Sequence, residues 1–245
     1  MNHDLLLLSK NDIPFLRAGI VIHQPSIREI AYIGEENFFM GCELLRISKD
    51  IVGKVDKIDL EKIDDFDILM QTMLMPSLEL KRAKEAVILV LNLLFPQYQV
   101  IFSLDTYSIQ LTKDEEVKKI DKTVFAEFKA IITQMFCLKQ SVGDDYNPSD
   151  ALAKRIADQL KARHKKLAEL QSGSSKGSIF GRYISILAVG LNKDINILME
   201  YSVYQLFDEF ERYQMKIAYD MYVQAKMAGA KDLEEVDNWM KEIHA

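Results

Sequence analysis

The sequence predicts a mostly α protein with a small antiparallel β element and a helical C-terminal unit. Apolar residues recur at three-and-four spacing over most of the chain, the period of a helix with one buried face. Only ten Gly and five Pro occur in 245 residues, so helices are seldom interrupted. One stretch, 98–111, instead alternates apolar and polar residues about a turn, which is the period of a strand.

Taken in order, residues 1–25 read as extended or irregular, with Gly19–Gln24 the expected strand. Pro25 cannot continue a ladder and restricts the residue before it. Ser26 followed by Glu29 is a capping box, so a helix is expected over 26–32, with Ile27, Ile30, Ala31 and Ile33 as its buried stripe. Helices follow at 36–49, Asp59–Met75 and Ser77–Phe95, with Pro76 punctuating the last two. Tyr98–Phe102 and Tyr107–Leu111 form a hairpin about Leu104-Asp105, and Lys118–Ile120 adds a third short strand. Helix returns over Thr123–Leu138. The cluster SVGDDYNP, Ser141–Pro148, marks a subdomain boundary. A long helix runs from Ser149 to Gln171, with Asp150 at its positive end. SGSSKGS, Ser172–Ser178, is a flexible connector. Helices at 179–192, within 195–228 and over Asp232–Ile243 complete the chain. The domain reading is therefore a mixed, mainly helical region at 1–145 with a β-hairpin near 98–111, and a helical region at 149–245 with a linker at 172–178.

Composition points away from catalysis. With 49% hydrophobic and 28% charged residues the chain is of ordinary globular type. A net charge of −6 provides no global attraction for nucleic acid or anionic lipid. The histidines, at 3, 23, 164 and 244, lie at no metal-ligand spacing, and neither HExxH nor CxxC occurs. His23, close to Pro25, reads as a side chain that anchors a loop. Cys42 and Cys137 read as buried thiols of a reducing cytoplasm. In SGSSKGS, Lys176 precedes Gly177 and a charged helix precedes the loop, so the order a phosphate-binding loop requires is absent. The carboxylates of 64–67, 114–116 and 208–211 read as solvated faces, and no serine sits in a nucleophile elbow. No leader segment is expected, and the apolar run Ala86–Phe95 is too short to span a bilayer. The expectation is a soluble, intracellular protein with no catalytic, cofactor-binding or metal-binding residues.

Two surfaces could serve a partner. Lys154, Arg155, Lys161, Arg163, Lys165 and Lys166 form a basic stripe on the 149–171 helix. It lacks the interleaved aromatics that stack on bases, so nucleic acid is disfavoured. Between 195 and 228, apolar and aromatic residues exceed what one buried helix face requires. The excess of Tyr and Met suits a protein interface, with Tyr204, Phe207 and Tyr222 as the expected anchors.

The runs IHQPSIREIAYIGEENFF, FDILMQTML and YQLFDEFERYQMKIAYDMYVQAKMAGAKDLEEVDNWMKEIH resemble proteins of the tail module of tailed bacteriophages infecting Gram-positive bacteria, above all the tail assembly chaperones. The resemblance implies a non-enzymatic protein of the host cytoplasm. It would coat the tape-measure protein, keep it soluble and help tail tube subunits polymerise around it. Tail tube or baseplate proteins are the other partners it implies; self-association of the chain is a separate expectation. The alternatives are a tail or baseplate component retained in the virion and a nucleic-acid-associated protein using the basic stripe.

Overall fold

A computed structural model of the chain describes residues 3–8, 12–48, 64–74, 80–138, 178–230 and 236–240. Residues 1–138 and 183–245 form one compact unit; a second, 139–182, enters the described set only at 178–182. The fold is mostly α with two small antiparallel sheets, as the periodicities predict.

Helix α1 (His3–Leu8) occupies a segment expected to be extended or irregular. Six residues are too few to hold a helix alone. Tertiary partners supply what local sequence does not: the Leu6 carbonyl accepts from Gln24 Nε2 at 3.3 Å and the Leu7 carbonyl from Gln205 Nε2 at 2.8 Å. Strand β1 (Ile13–Phe15) pairs antiparallel with β2 (Ile20–Ile22), with Pro14 opposite Val21. The link is a 3-10 turn, Leu16–Ala18, closed by Gly19 in the left-handed region at φ 63°. The expected strand at 19–24 is thus shorter than anticipated, and its partner lies in the segment read as extended or irregular. Ile13, Phe15, Ile20 and Ile22 all face the core.

Helix α2 (Ile27–Ile33) starts with the anticipated capping box at Ser26 and Glu29. Helix α3 (Glu35–Leu45) follows directly and packs along α5 (Lys81–Leu94). Gly41 allows the close approach, because a Cβ there would lie 2.5 Å from the Ala86 carbonyl oxygen. Helices α4 (Asp65–Leu74) and α6 (Lys122–Met135) also pack together. Between α5 and α6 runs a meander of β3 (Gln99–Ser103), β4 (Ser108–Lys113) and β5 (Glu116–Ile120). Its inner face carries Ile109, Leu111 and Ile120 and its outer face Gln99, Ile101 and Val117, the alternation expected of a half-covered antiparallel sheet. Aromatic rings knit the layers. Phe128 stacks near Phe15 and Phe95, Phe66 meets Phe125, and Phe38 meets Phe136 edge-on at 4.8 Å.

Helices α7 (Ile179–Leu191), α8 (Ile195–Met199) and α9 (Val203–Met227) form the C-terminal part. The long helix expected within 195–228 is α9; the short α8 precedes it and is separated from it at 200–202. The cause is tertiary. Ser26 and Ser202 form an antiparallel β-bridge, and the Ile27 N–H donates to the Tyr201 carbonyl at 2.9 Å. This contact holds the chain extended, and α9 restarts from a second capping box, Ser202 with Gln205. Residues 236–240 are not helical, which corrects the helix expected over 232–243 at those positions. The 149–171 helix and most of the 172–178 linker lie outside the described residues.

Candidate partner-binding surface

The sequence of α7, IFGRYISILAVGL, has one charged residue, Arg182. Ile184 and Leu187 are buried, yet Val189 is 85% exposed. Helix α8 adds Ile195 and Ile197, both exposed, around the buried Leu198. In α9 every buried residue lies at the start: Val203, Tyr204, Leu206 and Asp208. Beyond it, Ile217, Met221 and Met227 are exposed and Tyr213, Tyr219 and Tyr222 are half-buried.

The anchors expected from sequence divide. Tyr204 is 3% exposed and belongs to the core, so it offers no surface to a partner. Phe207 is half-buried and meets Tyr183 edge-on at 5.2 Å; Tyr183 also stacks on Phe210 with ring centroids 3.9 Å apart. Tyr222 remains accessible, with the Lys226 ammonium 5.4 Å from its ring centroid and donating to its hydroxyl at 3.3 Å. Ile195, Ile197 and Met221 belong to the apolar stretch 195–228 expected from sequence but not to its expected anchors, and Val189 lies outside that stretch. For α7 the signal was present: a helix almost without charge presents apolar residues on its solvent side as well as its core side. The basic stripe of Lys154, Arg155, Lys161, Arg163, Lys165 and Lys166 lies outside the described residues.

Polar contacts position this surface. Asp194 caps α8 by accepting from the Asn196 N–H at 2.7 Å. Lys193 pairs with Glu209 of α9 and donates to the Tyr201 hydroxyl at 2.9 Å. Burial disfavours its charge, but Glu209 and Tyr201 outweigh burial and raise the Lys193 pKa. Asp208 was read as part of a solvated face; it is buried instead and accepts from Arg212 Nε at 3.1 Å. Arg28 of α2 donates to Glu200 at 2.5 Å beside the Ser26–Ser202 bridge.

The carboxylates of 64–67 are also interhelical ties. Lys122 pairs with Asp64 at 2.8 Å and Asp67 at 2.9 Å, and Lys129 with Asp65 at 2.7 Å, which fastens α4 to α6. Burial opposes ionisation of Asp67, but Lys122 and the Asp64 backbone amide prevail and lower its pKa. A carboxylate held ionised by a paired lysine is unsuited to proton transfer near neutrality. His23 does anchor the loop: Nδ1 lies 2.9 Å from Asp12 Oδ1 and Nε2 3.1 Å from Glu29 Oε1. Glu29 Oε2 accepts from the Ser26 amide at 2.7 Å, so one carboxylate serves both the helix cap and the histidine. Cys42 is buried, which pushes its thiol pKa up, and Cys137 is half-buried. Among the described residues no three His, Cys, Asp or Glu side chains converge as metal ligands, and no helix is long and apolar enough to cross a membrane.

Residues 176–244, which hold α7, α8 and α9, match the YomV second domain, a family of phage type. No curated protein matches the chain. No solved structure matches it either. The likeness to a phage protein thus rests on the segment that carries Val189, Ile195, Ile197 and Met221.

Proposed function

We propose that the protein is a non-enzymatic phage tail morphogenesis factor. It binds the tape-measure protein, keeps it soluble in the host cytoplasm and promotes assembly of the tail tube around it. One observation supports this most: the segment similar to a phage-type family is also the segment whose helices leave Val189, Ile197 and Met221 exposed. Branched aliphatic and thioether side chains on helices suit an apolar helical partner, because Met adapts to irregular partner surfaces. Val189, Ile197, Met221 and Tyr222 take the anchoring role.

The experiment is co-expression with the tape-measure protein encoded in the same phage, followed by pull-down. Recovery of a soluble complex is expected, together with loss of tape-measure solubility when this chain is omitted. An unchanged yield of soluble tape-measure protein without this chain would overturn the reading. Mass spectrometry of purified virions separates the alternative: a chaperone is depleted from virions, whereas a tail or baseplate component is retained.

A further inference from the structure

Residues 26–28 and 200–202 form a short antiparallel seam between the first half of the chain and its C-terminal helices. Ser26 bridges Ser202, the Ile27 N–H donates to the Tyr201 carbonyl, and Arg28 donates to Glu200. The seam ends where Pro25 has no N–H to give and α9 begins at Val203. Just past that end, both sides reach the same helix. From one side Gln24 Nε2 donates to the Leu6 carbonyl, and from the other Gln205 Nε2 donates to the Leu7 carbonyl. Two successive carbonyls of α1 thus take one bond from each side. They lie in its last turn, whose carbonyls have no partner within the helix. Gln205 has a second task, since its Oε1 accepts from the Ser202 N–H at 3.0 Å in the capping box of α9. One carboxamide therefore joins the seam, the start of α9 and α1. Leu6 is buried and Leu8 is exposed. Six residues cannot sustain a helix unaided, so α1 is helical only while docked.

We propose that α1 is a releasable clasp on this seam. Docked, it links Gln24 to Gln205 and holds α8 and the start of α9 against α2. Released, it unfolds and the seam loosens, while the helices of the core stay in place. A terminal helix is the element that can leave without moving the rest, and local opening draws on the least fastened part of a fold. Helix α8 carries the exposed Ile195 and Ile197 and leads straight into the seam through Glu200 and Tyr201. The clasp therefore governs how firmly those side chains are held. The inference goes beyond the tape-measure reading and does not depend on it.

Native-state hydrogen exchange of the full-length chain tests it, with the Ile27 N–H reporting on the seam and the α5 amides on the core. Gln205→Glu keeps the acceptor that the capping box uses and removes the donor that holds Leu7. It should speed Ile27 exchange by about tenfold or more and leave the α5 amides unchanged. Leu6→Ala, which leaves Gln205 and its cap intact, should give the same pattern. In the wild type, the Leu7 and Leu8 amides should exchange through an opening less dependent on denaturant than that of α5, a readout that needs no substitution. Ile27 exchange unaltered in either variant, α5 amides accelerated as much as Ile27, or wild-type α1 amides that open only together with α5 would each overturn the proposal.

Discussion

At the scale of single residues, His23 shows how bond geometry dictates a protonation state. Both ring nitrogens face carboxylate oxygens, which only accept, so both nitrogens must donate. Only the imidazolium does that. Burial opposes the charge, yet Asp12 and Glu29 outweigh it, and the His23 pKa is raised above 6.5. Glu29 is lowered for the converse reason: burial is outweighed by the Ser26 amide and hydroxyl and by His23. The raised histidine contributes stability that is complete below the unfolded-state value and disappears as pH rises through the folded one. The lowered Glu29 contributes stability that disappears as pH falls through its own folded value. The tie is therefore strongest between the two titrations, in mildly acidic solution. His23→Gln should cost more stability there than in alkaline solution, read by chemical denaturation at both pH values. A proton NMR titration placing His23 at or below its ordinary value would refute this account.

At the scale of elements, Gly41 and the paired capping boxes make opposite use of local rules. Gly to Ala inside a helix ordinarily stabilises by about 0.5–1 kcal/mol. At Gly41 the added methyl meets the Ala86 backbone and Val90 Cγ2, at 2.7 Å, and backbone cannot swing aside. Gly41→Ala should therefore destabilise by about 1–3 kcal/mol, seen as a lower denaturation midpoint. A rise in midpoint would show that α3 and α5 sit farther apart. Ser26→Ala and Ser202→Ala should each cost about 1 kcal/mol. Because the two caps meet through the Ser26–Ser202 bridge, their effects should not add. Strict additivity in the double variant would mean that α2 and α9 are capped independently.

At the scale of the whole molecule, core and surface variants should separate cleanly. Tyr204→Ala should lose about 3 kcal/mol or more of stability, as buried aromatic truncations do. Val189→Asp, at an exposed position, should change stability by no more than about 0.5 kcal/mol. If Val189 anchors a partner, the same substitution should weaken pull-down of the tape-measure protein by about 2 kcal/mol or more. Loss of stability with unchanged binding would return α7 to the core and move the partner surface elsewhere.

What the sequence by itself determined is what neighbouring residues decide among themselves. The mostly helical class, the capping box at Ser26 and Glu29, the hairpin about Leu104-Asp105 and the short strand ending at Ile120 were legible, because periodicity, caps and turns act over a few residues. The loop-anchoring role of His23 was legible too, though not its two carboxylates. Tertiary structure alone decided the rest. Helix α1 exists because Gln24 and Gln205 reach its carbonyls from far along the chain. The long helix expected within 195–228 starts only at Val203, because the Tyr201 carbonyl accepts from the Ile27 N–H. Tyr204 is buried, while Val189 and Met221 are exposed, although all three lie in helices rich in apolar residues. An apolar side chain records a preference for burial, but which of several such faces meets the core depends on what the remainder of the chain brings against it.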